Sequence, residues 1–178
     1  MLRISVIALS INNLTDARYF AALGVDWLGF NINPASENYV NPAQLKEIID
    51  WVEGPKMLIQ EAQWNPDAIS LINSDELKIS GQLLQDSEQA IQKDNFAIFS
   101  AVEENQESYR LFSSLADWQE SKVPASESYI LYSGNIEDLS DQLNLDETPG
   151  LVLFGSSEEA AGVKSFEDLD DVFELLYP

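Results

Sequence analysis

The stretch from Asn13 to Pro42, NLTDARYFAALGVDWLGFNINPASENYVNP, constrains what this chain can fold into more than any other. Asn13 is placed to cap a helix whose apolar residues, Leu14, Ala17, Tyr19, Phe20, Ala21 and Leu23, recur at helical spacing, and Gly24 stops it. The apolar run from Val25 to Ile32 follows at once and breaks at Asn33-Pro34, as a buried strand does. A helix that returns directly into a buried strand is an αβ unit, and units of that kind build a parallel sheet with helices packed outside it.

The rest of the chain keeps the same rhythm. Arg3 to Leu9 reads as the first strand, Asn41-Pro42 opens a helix with Leu45, Ile48, Ile49 and Val52 on one face, and Met57 to Gln60 reads as the third strand. Asn65-Pro66 starts a third helix, Leu77 to Ser80 reads as strand four closed by Gly81, and Asp86 or Ser87 caps a short helix containing Ala90 and Ile91. Phe96 to Val102 is strand five. Toward the end come a strand from Tyr129 to Ser133, a helix from Ile136 to Leu143, a strand from Leu151 to Phe154, and a closing helix from Ser165 to Leu176, with Ser165 and Asp168 spaced as a capping box.

Glu103 to Val123 admits two readings. Leu111, Phe112, Leu115 and Trp118 have helical spacing, which leaves seven strands; the alternative, Tyr109 to Phe112 as a sixth strand of eight reached by a short polar loop that replaces a helix, is what the family resemblance carried by Asn13 to Pro42 implies. The second is favoured because eight strands close a barrel and leave no edge. At 178 residues the chain is one domain, short for a (β/α)8 barrel of about 200 residues or more, so a helix or a strand has been trimmed.

Composition narrows the chemistry. Thirty-one acidic residues against nine basic ones give a formal charge of −22, which repels nucleic-acid phosphates and anionic membranes and opposes a phosphorylated ligand unless local donors override it. With no Cys and no His, the usual thiolate and imidazole nucleophiles, bases and metal ligands are absent. Glu158 and Glu159 have no metal-site spacing, so neither metal nor cofactor is expected. No run approaches a membrane span, and a cytoplasmic protein is expected.

Residues Asn13-Leu14-Thr15-Asp16-Ala17, Gly24 to Phe30 and Pro34 to Pro42 follow in order the N-L-x-D-A, G-A-D-x-L-G-F and P-x-S-P-R-Y-V-S-P texts of phosphoribosylanthranilate isomerase, a small TIM barrel of tryptophan biosynthesis. Gly162 to Phe166 resembles the family segment that leads into the last helix. The resemblance implies a trimmed TIM (β/α)8-type barrel whose function sits at the C-terminal strand ends. Carried over position by position, it also implies lost catalysis. The cysteine that serves the family as general base at the end of strand one falls on Leu9, its neighbouring glycine on Ser10 and its lysine on Ile7. The arginine of R-Y-V falls on Asn38, the histidine of Q-L-H-G on Ser80, and the acid after strand six on Ser113. Ser133-Gly134-Asn135 and Gly155-Ser156-Ser157 stand where the family presents backbone N–H groups to a ribose phosphate; each triplet is either an anion nest or an ordinary tight turn. The expected protein is therefore a non-catalytic relative used for binding or assembly, with a small phosphorylated ligand or a second copy of itself as partner and Ser10, Asn38 and Ser80 on the ligand rim. The alternative is an enzyme with a rewired acid and base.

Overall fold

A computed structural model describes residues 1–84, 90–100, 108–155 and 165–178. Eight parallel strands close into a barrel in chain order: β1 (Val6–Leu9), β2 (Trp27–Asn31), β3 (Lys56–Gln60), β4 (Gly81–Leu84), β5 (Ala97–Ser100), β6 (Tyr109–Phe112), β7 (Ser128–Leu131) and β8 (Gly150–Phe154). The expected TIM-type barrel is thus present, and Tyr109–Phe112 is a true strand, paired with β5 at Phe99↔Tyr109 and with β7 at Leu111↔Tyr129. Among the described residues six α-helices lie outside it: α1 (Leu14–Ala22), α2 (Pro42–Trp51), α3 (Pro66–Asn73), α4 (Leu115–Ser121), α5 (Ile136–Leu143) and α6 (Glu167–Leu176).

Local chemistry sets most of the helix starts. Asn13, Asn41 and Asn65 each accept a hydrogen bond from the backbone N–H three residues on, and Asn135 accepts from Glu137 N–H, which satisfies donors that the first turn leaves open. Pro42 and Pro66 occupy first-turn positions where no N–H is needed. The expected capping box at Ser165 does not form: α6 begins after Phe166 without a side-chain cap, and Ser165 Oγ accepts only from Glu167 N–H at 3.4 Å.

Strand alternation sorts the apolar residues into two cores. Ile7, Leu9, Leu58, Leu83, Phe99, Leu111 and Val152 point inward and fill the lumen, whereas Val6, Ala8, Leu28, Phe30, Ile59 and Leu153 point outward against Ala17, Phe20, Leu45, Ile72 and Phe173 of the helices. The N-terminal mouth is closed by aromatic rings: Trp27 meets Phe99 edge-on at 5.0 Å, and Phe99 stacks on Tyr109 at the same distance.

Two expectations need correction. Strand four is Gly81–Leu84, not Leu77 to Ser80; the latter residues cross under the barrel, with Ser80 N–H bonded to Met57 O and Ala97 N–H to Ser80 O. Between β4 and β6 the described residues contain no helix. Ala90 and Ile91, expected to be helical, belong to a non-helical segment whose Ile91 N–H donates to Gln82 Oε1 at 2.9 Å, and the cap candidates Asp86 and Ser87 lie outside the described residues. Among the described residues no helix is long and apolar enough to cross a membrane.

Candidate functional site

The C-terminal strand ends of a barrel collect the side chains that face one another across its mouth. Leu9, the last residue of β1, is 3% exposed and turned into the lumen above Gly29, where a Cβ would lie 2.5 Å from Leu9 Cδ2. A hydrocarbon therefore fills the end of this strand, where the resemblance leads one to look for a base. Ser80, expected on the ligand rim at the end of strand four, instead precedes β4. Ser80 lies at the opposite, N-terminal end of the barrel beside Lys56 and Lys78, away from the rim.

Ser113 does follow β6, as expected, and its Oγ donates to Asp117 Oδ2 at 2.5 Å; Ser114 Oγ donates to the same oxygen at 2.8 Å. These hydroxyls, Ser113 first, hold the Asp117 carboxyl below the usual carboxylate range. Asp117 is ionised at neutral pH and is the wrong form to donate a proton.

The ends of β1 to β3 carry a polar network. Ser10, in a left-handed conformation (φ 58°), donates its N–H to Gln60 Oε1 at 3.1 Å. Glu61, also left-handed (φ 55°), accepts from Asn31 Nδ2 at 2.7 Å and Asn33 Nδ2 at 2.5 Å. Asn38, in the loop after β2, accepts from Asn12 Nδ2 at 3.1 Å. Ser10 and Asn38 are thus on the rim, but their neighbours Asn31, Asn33, Gln60 and Glu61 are residues that the sequence reading missed. The signal was there, since polar residues appear abruptly where the apolar runs of β2 and β3 end.

At the other side of the rim, two of the candidate phosphate donors, the N–H groups of Asn135 and Gly155, already have partners. Gly134 turns at φ 86°, Asn135 N–H is taken by Ser133 Oγ at 3.2 Å, and Glu137 N–H by Asn135 Oδ1 at 3.0 Å. Ser133 Oγ itself donates to Asp138 Oδ2 at 2.9 Å. The Gly155 N–H donates to Leu9 O at 2.8 Å, and a Cβ on Gly155 would lie 2.7 Å from Oδ2 of the fully buried Asp16. Ser156 and Ser157 lie outside the described residues, as do Glu158 and Glu159. Of the nine Lys and Arg residues, Lys164 is outside the described residues, and none of the others stands at the C-terminal end of a strand. Among the described residues no group of three or more His, Cys, Asp or Glu side chains could hold a metal ion.

Solved structures match this arrangement over almost the whole chain. The phosphoribosylanthranilate isomerase of Thermus thermophilus superposes with a TM-score of 0.58 at 18% identity, covering 96% of this chain and 97% of that one. The fold is that of the phosphoribosylanthranilate isomerases. TrpF from Jonesia denitrificans gives a TM-score of 0.64 at 14% identity over 96% of this chain and 95% of its own. An isomerase solved with reduced 1-(o-carboxyphenylamino)-1-deoxyribulose 5-phosphate gives 0.61 at 16% identity over 96% and 97% of the two chains. No protein-family model matches the chain, and no curated protein matches it. The resemblance read in Asn13 to Pro42 is therefore borne out at the level of the fold.

Proposed function

We propose that this chain is a phosphoribosylanthranilate isomerase-like barrel that has lost the isomerase reaction and serves binding or assembly. The observation that carries this reading is Leu9, buried against Gly29 at the position of the base. An Amadori-type isomerisation needs an acid and a base, each within hydrogen-bond reach of the proton it moves. Leu9 cannot accept a proton, and Ser113 is a hydroxyl with no His or Cys to activate it. Losing one positioned acid or base costs about 10²–10⁴-fold in rate, so losing both leaves little above background. The lack of rim cations among the described residues, together with Asp16 against Gly155, weakens any hold on a substrate phosphate.

Purified protein incubated with freshly prepared phosphoribosylanthranilate should show no enzyme-dependent loss of anthranilate fluorescence, and its gene should not rescue a tryptophan auxotroph lacking the isomerase. Turnover at ordinary enzyme rates would overturn the proposal. A second reading, an enzyme with a rewired acid–base pair, is favoured by one feature, the rim carboxylate of Glu61 oriented by two asparagine amides. Turnover that E61Q abolishes would establish that reading instead.

A further inference from the structure

A groove runs along the outside of the barrel between α4 and α5 and reaches the C-terminal strand ends at Ser113 and Ser133, across the barrel from the network at the ends of β1 to β3. The cause is α4, which has only seven residues and buries none of them, so it leaves an open volume of about 340 Å³ beside α5. The floor is the outward face of the sheet, Ile130 of β7 and Leu151 of β8, 4% and 1% exposed. Leu115 and Ala116 form one wall and Leu139 the other. A volume of this size falls within the range of about 300–1,000 Å³ usual for small-molecule sites.

The charge of the lining is one-sided. Its ionisable carboxylates are Asp138 and Asp141, one turn apart on the same side of α5, and no Lys or Arg lines the groove. Asp138 receives one bond from Ser133 Oγ at a single oxygen, and a carboxylate has about four lone-pair sites. Tyr132, also in the lining, reports the same field: its hydroxyl pKa is raised by burial first and then by Asp168, Asp171 and Asp138. An anion would meet two carboxylates here, and a purely apolar compound would strip water from them without replacement. A hydrocarbon body with one positive end satisfies both the floor and the lip.

We propose that the groove between α4 and α5 binds an amphiphilic organic cation, with its ammonium group at Asp138 and Asp141 and its hydrocarbon chain over Ile130 and Leu151. The groove touches the strand ends at Ser113 and Ser133, but the variants that test it change neither residue, so its failure is distinguishable from failure of the isomerase-like reading. Protonated n-hexylamine is the probe, with n-hexanol and hexanoate as controls of equal chain length and methylammonium as the control for general screening of the negative protein. Calorimetry at constant ionic strength should give one saturable site for hexylammonium and none for hexanoate or methylammonium. Hexanol should bind about tenfold more weakly or worse, the loss expected for one charge-assisted hydrogen bond. The D138N/D141N double variant should bring hexylammonium down to the affinity of hexanol. Ala116→Trp, at an exposed position on the wall, should fill the groove and abolish binding without changing the thermal midpoint appreciably. No saturable site for hexylammonium, equal affinity for hexanol, or unchanged affinity in both variants overturns the proposal. So does sedimentation showing that the chain dimerises and loses the hexylammonium site as its concentration rises, which would assign the groove to a second copy.

Discussion

Strands β1 to β3 and strands β4 to β6 belong to one closed sheet, yet their outer faces are built differently. Along the row Leu153, Ala8, Leu28 and Met57, set by the register of β8, β1, β2 and β3, every outward residue is apolar and lies under a helix. The row Leu84, Ser100, Arg110 and Ser128, set by the register of β4 to β7, is mostly polar. Gln82, fully buried one step down β4, spends its carbonyl on the backbone of Ile91, and Ser128 Oγ donates to Pro124 O at 2.8 Å. Arg110 lays its guanidinium toward the Phe112 ring at 5.8 Å. On this flank, where the described residues between β4 and β6 hold no helix, polar side chains share the outer face of the strands with Leu84, Ile98 and Phe112.

The contrast can be broken most directly by core truncation. Phe30→Ala, at a fully buried outward position of β2, should cost about 3–5 kcal/mol in urea unfolding, whereas Ile98→Ala, at a partly exposed position of β5, should cost no more than about 1–2 kcal/mol. Equal losses would mean that the two flanks are packed alike. Capping offers a smaller version of the same test. Asn65 both caps α3 and donates to Ile32 O at 3.0 Å in a buried setting, so Asn65→Ala should cost about 2 kcal/mol, against roughly 0.5 kcal/mol for Ser114→Ala at the exposed start of α4.

Alkaline titration sharpens the comparison further. Burial is the main cause that raises the Tyr129 hydroxyl above its ordinary value of 10.0, while its contact with Ser5 acts in the opposite direction. The folded state therefore keeps this proton when the unfolded state has lost it. That contribution is complete below pH 10 and declines as pH rises from 10 through the folded value. The urea midpoint should drop as pH rises above about 10, and less so in Tyr129→Phe. An equal drop in the variant would place the alkaline weakness elsewhere. The smallest effect is ionic: with a formal charge of −22, moderate NaCl should raise the thermal midpoint by a few degrees, and no rise would mean that the charges are too dispersed to repel one another appreciably.

What the sequence disclosed and what it hid divide along the same lines. The caps at Asn13, Asn41 and Asn65 act over three residues, so the helices of the fully covered side could be read locally. Strand four was misplaced because Leu77-Lys78-Ile79-Ser80 alternates like a strand and Gly81 looks like its stop. In the fold Gly81 opens the strand, since a Cβ there would lie 3.0 Å from both the Trp27 ring and Ala97 O, a demand set by residues 54 and 16 positions away. Leu9 ends β1, Ser113 follows β6 and Asn38 lies in the loop after β2, but the rim network depends on pairings such as Ser10 with Gln60, which no local pattern announces. The engaged state of the Gly155 N–H is equally non-local, because its acceptor is at the far end of the chain.

The fit of Leu9 over Gly29 bears on where this protein's descendants could go. On the proposed function, Leu9→Cys alone would remove buried carbons from the top of the lumen, at a cost of about 1–2 kcal/mol, and would still face a serine after β6 and a rim without a cation among the described residues. Adding an acid at Ser113 first would bring no reward either. On that proposal each first step toward the isomerase reaction is a loss in stability or a neutral change and none gives turnover by itself, so selection has no slope to climb in that direction.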